Sequence, residues 1–313
     1  MISIVIPIYN EEDNLPNLHK RLTEAAPLWK EDYEVLLVDD GSIDSSIDLM
    51  MEICRKDSHF RIVKLSRNFG HQAAISAGIK VSKGKAVVIM DGDLQDPPEE
   101  LPRFLEKWRK GYHVVYAIRR HRKESFLKRI CYSVFYRLLK IASDIQIPLD
   151  SGDFCVMDRK VVNVLNNEMA EQSRFVRGLR AYAGFKQIGV EYERAERYAG
   201  TVKYTFGKLL KLALDGLFDF STLPLKFATF LGIFISLPSF LIGVFFIIHR
   251  IFDFKVLGYS PSDTPGLASL AVGMFFLGGV MLLILGIMGE YLARIYFEVK
   301  RRPFYIIEEI INP

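Results

Sequence analysis

Phosphate-cradling glycine loops are missing from this chain. Neither GxxxxGK(S/T) nor GxGxxG occurs in its 313 residues, which disfavours a P-loop nucleotidase and a Rossmann dehydrogenase. Cysteine is scarce. Cys54, Cys131 and Cys155 show no CxxC spacing, so no disulfide framework is expected and a reducing compartment fits. A dominant charge is lacking too. Lys and Arg total 41 against 37 Asp and Glu, and a net charge of +4 implies no nucleic-acid partner. There is no internal repeat and no low-complexity linker. No signal peptide precedes SIVIPIYN, so the N-terminal domain is expected to stay in the cytoplasm.

The charge that is present is unevenly spread. Residues 1–220 are dense in it, while 227–289 carry very little. Phe227–Ile248 has no charged side chain, and as a helix it would reach about 33 Å, enough for a hydrocarbon core of roughly 30 Å. A second uncharged run extends from Thr264 to Gly289. Both exceed ordinary core-helix length, so two membrane spans are expected, with Pro238 tolerated inside the first. Lys203, Lys208, Lys211 and Lys226 precede the first run, and Arg294, Lys300, Arg301 and Arg302 follow the second. The intervening segment offers only Arg250 and Lys255. The positive-inside rule therefore places both flanks, and both termini, in the cytoplasm. Ser125–Ser143 and Tyr204–Phe220 are basic and apolar at helical spacing, as interfacial helices are, although packing on the soluble core accounts for them equally.

The first half of the chain reads as α/β. Apolar runs at Ile2–Ile8, Tyr33–Val38, Arg61–Leu65, Ala86–Met90 and Val114–Ala117 are expected strands. Between them, Leu15–Ala26, Ser45–Lys56, Gln72–Val81 and Leu101–Lys110 are expected helices. Such alternation implies a mostly parallel sheet covered on both faces, with ligands at the carboxyl ends of its strands.

Polar clusters fall at those ends. Pro7, Tyr9 and Glu11 follow the first strand, and Asp39 and Asp40 close the second. A carboxylate there suits the N–H donors of a pyrimidine or guanine base, while the same Asp-Gly-Ser residues also suit a turn and helix cap. After the fourth strand comes MDGDLQDPP. In an extended segment Asp91, Asp93 and Gln95 would share one side and offer oxygen donors to a hard cation, Mg²⁺ or Mn²⁺.

Taken together, VIPIYNEE, VDDGSID, SRNFGHQAA, MDGDLQDPPEE and DSGDFCVMDR resemble glycosyltransferase family 2 with the GT-A fold. The two C-terminal spans narrow the resemblance to polyprenyl-phosphate glycosyltransferases, nearest to the GtrB-type bactoprenol glucosyltransferases. Dolichol-phosphate mannose synthases and aminoarabinose transferases are relatives. The resemblance implies a nucleoside pocket at Pro7, Tyr9, Glu11, Asp39 and Asp40, and a metal-diphosphate site at Asp91, Asp93 and Gln95. It places Arg119, Arg120 and Arg122 near phosphate, and Ser151 and Asp153 on the acceptor side. Arg197 and Lys203 fall in a basic stretch leading to the membrane. Asp91, Asp93, Asp153, Arg119, Arg120 and Lys203 are the expected catalytic set, with Arg119, Arg122, Ser151, Arg197 and Lys203 on the acceptor phosphate.

The implied organisation is a cytoplasmic GT-A domain over 1–203, an interfacial helix over 204–225, a two-helix membrane domain over 226–290 and a cytoplasmic tail over 291–313. The implied reaction moves a hexose from a nucleotide-sugar to a polyprenyl phosphate in the inner membrane, with inversion. UDP-glucose is the expected donor; GDP-mannose, UDP-N-acetylglucosamine and UDP-aminoarabinose are alternatives. A homotetramer is implied as well. The QxxRW motif of processive polysaccharide synthases is missing, since Trp29 and Trp108 have other settings. Two spans are few for a flippase, and the intact Asp91 and Asp93 argue against a non-catalytic scaffold.

Overall fold

The computed structural model describes residues 1–119, 151–169, 171, 174–193, 223–252 and 267–312. They fall into two units, one comprising 1–216 with 301–313 and the other 217–300.

The first unit is an α/β domain. In chain order it contains β1 (Ile2–Ile8), α1 (Leu15–Trp29), β2 (Tyr33–Asp39), α2 (Ser46–Lys56), β3 (Phe60–Leu65), α3 (His71–Val81) and β4 (Ala86–Ile89). A single turn at Pro98–Glu100 leads into α4 (Leu101–Arg109), followed by β5 (Val114–Arg119) and β6 (Ser151–Asp158). Then come α5 (Arg159–Asn167), α6 (Val176–Tyr182) and β7 (Gln187–Tyr192), and, after the second unit, β8 (Ile307–Ile311). The eight strands form one sheet in the order β7-β5-β6-β4-β1-β2-β3-β8. β4, β1, β2 and β3 run parallel, as the βαβ alternation dictates, and β5 and β7 are parallel to each other. β6 is antiparallel to both β4 and β5.

Side-chain alternation divides β1 between two cores. Ile2, Ile4, Ile6 and Ile8 pack with Leu15, Leu18 and Leu22 of α1 and Phe104 of α4. Val5 faces the other way, among Leu36, Val38 and the alanines of α3. Here α3 lies so close to the sheet that a Cβ on Gly78 would stand 2.3 Å from Val5 Cγ1. At the amino ends of the strands, buried Glu34 accepts from Ser3 Oγ (2.5 Å), Lys83 N (2.7 Å) and Arg61 Nη1 (2.8 Å).

The second unit holds α7 (Leu223–Phe252) and α8 (Leu267–Lys300), of 30 and 34 residues. Both are long and apolar enough to cross a membrane, along Pro224–Leu241 and Phe276–Lys300. Phe230, Phe234, Leu282 and Leu292 are exposed along them, which points to association with a membrane. α7 continues through Pro238.

The segment after the second span, expected as a tail over 291–313, differs from that expectation. α8 persists to Lys300 and stops where Arg301 adopts φ +48°, with Pro303 two residues on. The chain then supplies β8, antiparallel to β3 and held by Lys64–Glu308 (3.0 Å) and Arg61 Nε to Asn312 Oδ1 (2.7 Å). An open β3 edge would present unpaired backbone groups, and β8 covers it. Both expected interfacial segments lie outside the described residues.

Candidate active site

The register of the parallel strands brings the polar clusters level. Ile8 pairs with Asp39, and Val5 pairs with Ile89 two residues before Asp91. The loop after β1 then interlocks with the loop after β2. Asn10, at φ +54°, donates its N–H to Ser42 Oγ and accepts from Ile43 N (2.9 Å), while Glu11 N donates to Ser46 Oγ (2.9 Å). Asp39 Oδ1 accepts from Ser42 N at 3.1 Å, the turn-forming role that an Asp before Gly-Ser also suits. Gly41 has φ +70°, and a Cβ there would meet Asn68 N at 2.6 Å, so glycine is required by both torsion and space.

Asp40 turns inward. Its Oδ1 accepts from Phe69 N (2.7 Å), and its Oδ2 from Gly70 N (2.9 Å). Burial pushes its carboxyl above the usual range, against the pull of those amides. The side chain that the resemblance assigns to the nucleoside pocket thus fixes the loop entering α3. Tyr9 stands 37% exposed at the mouth.

The acidic segment after β4 is a turn, and this corrects the extended run expected from alternation. Asp93 Oδ1 accepts from Gln95 N at 3.1 Å, and Leu94, though buried, takes φ +60°. Gly92 gives room for β1, since a Cβ there would meet Ile8 Cδ1 at 2.8 Å. Three ties hold the loop: Arg21 forks onto Glu99 (2.9 and 2.7 Å), Trp29 Nε1 donates to Pro98 O (3.2 Å), and Tyr192 Oη donates to Asp96 Oδ1 (2.6 Å). Asp91 and Asp93 remain neighbours at the sheet's carboxyl edge.

Asp153 arrives by the antiparallel strand. Ile89 pairs with Cys155, so Asp91 lies two residues beyond one end of that ladder rung and Asp153 two residues before the other. Beyond the end of that ladder the two carboxylates approach a common neighbour. His71, the first residue of α3, stands between them, with Nε2 3.6 Å from Asp91 Oδ1 and 3.4 Å from Asp153 Oδ2. Arg177 of α6 forks onto Asp153, Nε to Oδ1 and Nη2 to Oδ2, each at 2.7 Å. Burial works against the Asp153 carboxylate, yet Arg177 and His71 hold it well below the usual range. Burial likewise opposes protonation of His71, but its bond to Asp153 and the charge of Asp91 push the imidazole up to about 9.

His71 and Arg177 were not among the residues singled out in the sequence. SRNFGH sits at the carboxyl end of β3, the same crevice rule that marked the acids, and this signal was available. Arg177 had only the spacing of Arg174, Arg177 and Arg180. Of the expected acceptor-side residues, Ser151 opens β6 beside Ile118, and Arg119 ends β5. Arg120, Arg122, Arg197 and Lys203 lie outside the described residues.

Among the described residues no three His, Cys, Asp or Glu side chains are grouped to hold a metal ion. Two carboxylates from one tight turn, with Gln95 beside them, fit a cation that takes its remaining ligands from phosphate and water, as Mg²⁺ does.

An α/β sheet with acidic loops at the carboxyl ends of its strands, closed by an antiparallel strand bearing a further carboxylate, is the GT-A arrangement of nucleotide-sugar transferases. Residues 3–165 match glycosyl transferase family 2, and the chain belongs to that family. It is 46% identical over 310 residues to an uncharacterized glycosyltransferase of Synechocystis, covering 99% of this chain and 95% of that one. It is 39% identical over 309 residues to the bactoprenol glucosyl transferase of Shigella phage SfII, covering 98% and 97%. Among solved structures, the glucosyl-3-phosphoglycerate synthase of Mycobacterium tuberculosis superposes with a TM-score of 0.46 at 17% identity, over 70% of this chain and 76% of that one. The chain is a glycosyltransferase.

Proposed function

We propose that this transferase moves glucose from UDP-glucose to a polyprenyl phosphate, with inversion at the anomeric carbon. The observation that carries this reading is the likeness to a bactoprenol glucosyl transferase, because it spans 98% of the chain and so includes the long helices as well as the sheet.

Asp91 and Asp93, with Gln95, would hold Mg²⁺ or Mn²⁺, which when bound supplies charge neutralisation for the departing nucleoside diphosphate. Tyr9, Pro7, Glu11 and Asp39 border the nucleoside side. The acceptor is a phosphate monoester whose second ionisation, by analogy with phosphoserine, lies near pH ~6. It needs no general base. Asp153 matches that demand, since a carboxylate forked by Arg177 has little affinity for a proton and serves to orient. Arg119, Arg122, Arg197, Lys203 and Ser151 are assigned to the acceptor phosphate, where cations let two anionic substrates approach, and Arg120 joins Arg119 in the catalytic set.

The site belongs at the cytoplasmic face of the plasma membrane. Chain from before α7 and after α8 contributes to one sheet, which supports a membrane-crossing pair that leaves and returns on the same side. Basic flanks make that side the cytoplasm. A homotetramer completes the proposal. A Cβ at Gly273, Gly278, Gly279 or Gly286 of α8 would face open space rather than another described element, which leaves room for a neighbouring helix.

The test is a donor panel. Purified protein in detergent is mixed with undecaprenyl phosphate, Mg²⁺ or Mn²⁺, and each radiolabelled nucleotide-sugar. Label from UDP-glucose is expected in the organic phase, and none with the Asp91→Ala, Asp93→Ala variant. Transfer from GDP-mannose, UDP-N-acetylglucosamine or UDP-aminoarabinose instead would rename the sugar. No transfer from any donor would favour a scaffold that retains the fold.

A further inference from the structure

We infer that His71 is a positioning residue that couples the donor-side carboxylate Asp91 to the acceptor-side carboxylate Asp153. This rests on the transferase reading above for what the two sides bind, and on geometry for the coupling itself.

Three independent features converge on His71. Asp91 and Asp153 lie just beyond the last rung of the β4–β6 ladder, and one imidazole nitrogen reaches both, at 3.6 and 3.4 Å. The loop delivering His71 is fixed from behind, because Asp40 binds the backbone N–H groups of Phe69 and Gly70 immediately before it. The far side of Asp153 is closed by Arg177, so that carboxylate is gripped from two elements, α3 and α6. A chain of contacts thus runs from the end of β2 through the α3 entry to both carboxylates. Nothing in it requires His71 to touch substrate. Its effect would be to keep the metal-side and acceptor-side groups in one fixed relation while donor and acceptor converge between them.

The experiment compares His71→Ala, His71→Gln, Asp153→Asn and the His71→Ala, Asp153→Asn double variant in full-length protein. His71→Ala is expected to lower kcat by about 10–100-fold, as loss of an outer orienting group does, with little change in the KM for UDP-glucose. His71→Gln keeps an N–H near the position of Nε2 and should recover part of that loss. The double variant should be scarcely slower than the poorer single variant, because both changes cut one linkage. Losses that simply multiply, a KM effect without a kcat effect, or full activity in His71→Ala would each overturn the proposal. Crystal structures of wild type and His71→Gln provide a reading independent of turnover. A histidine bridging the two carboxylates in the wild type, with at least one turned away in the variant, is expected. An undisturbed pair would count against the proposal even if His71→Ala failed to fold. If wild type transfers no sugar from any donor, the functional reading fails, and these structures still decide the role of His71.

Discussion

Tyr192, the last residue of β7, donates its phenolic proton to Asp96 at 2.6 Å, tying one end of the sheet to the acidic loop that follows β4. Both residues are almost completely buried. Tyr192→Phe removes that donor and keeps the ring. The thermal midpoint in detergent should fall by an amount corresponding to about 1–3 kcal/mol, and the KM for the nucleotide-sugar should rise as Asp91 and Asp93 lose a support. A midpoint and KM both unchanged would show that Arg21 and Trp29 suffice to hold the loop.

The Arg177–Asp153 fork gives a prediction about geometry as distinct from charge. Lysine preserves the charge but cannot make two parallel bonds to one carboxylate. Arg177→Lys should therefore lose roughly tenfold or more in kcat, and Arg177→Met more still, because it leaves Asp153 buried with its main counter-charge gone. Equal activities for Arg177→Lys and wild type, measured by transfer to the lipid phase, would show that charge alone is needed.

Glu34 makes a pH prediction at the opposite end of the strands. Burial alone would raise its pKa, but donors from Ser3, Lys83 and Arg61 prevail and lower it below its ordinary 4.5. A depressed carboxylate contributes stability above its unfolded pKa and loses it as pH falls through the folded one. The stability advantage of wild type over Glu34→Gln should be full near neutrality and shrink below about pH 4.5, read from thermal midpoints across pH. A difference independent of pH would remove the carboxylate's ionisation from the account.

Removal of 304–313 deletes β8 and its contacts to Arg61 and Lys64. The β3 edge would then stand open in a strand whose side chains are largely buried. Lower thermal stability, faster proteolysis within the first unit and more aggregation are expected, measured against the full chain in the same detergent. Unchanged behaviour on all three counts would make β8 dispensable.

Much of the first unit was legible in the sequence because its information is local. Each strand from β1 to β4 is a compact apolar run, and the loops after β1, β2 and β4 carry their acids in plain order. Legibility faded where pairing is long-range. β6 reads as SGDFCVMD, more motif than strand, and its place is set by partners on β4 and β5. β8 reads as IEEII after a long apolar helix, and only its pairing with the distant β3 marks it as a strand. The site divided in the same way. Asp91 and Asp93 are neighbours in sequence and were found together. His71, Asp153 and Arg177 come from three elements and meet only because an antiparallel strand returns beside β4. The left-handed Leu94 was not read, because a single residue of that conformation has no periodic signature.

The stitching of β8 onto β3 also has a temporal side. During synthesis, strands β1 to β7 emerge first, while the outermost partner of β3 is made only after both long helices. Until then the β3 edge is uncovered. The last hydrogen bonds of the sheet can therefore form only once both long helices have been made, so a chain interrupted before that point would hold an α/β domain that is unfinished at its edge and prone to aggregate.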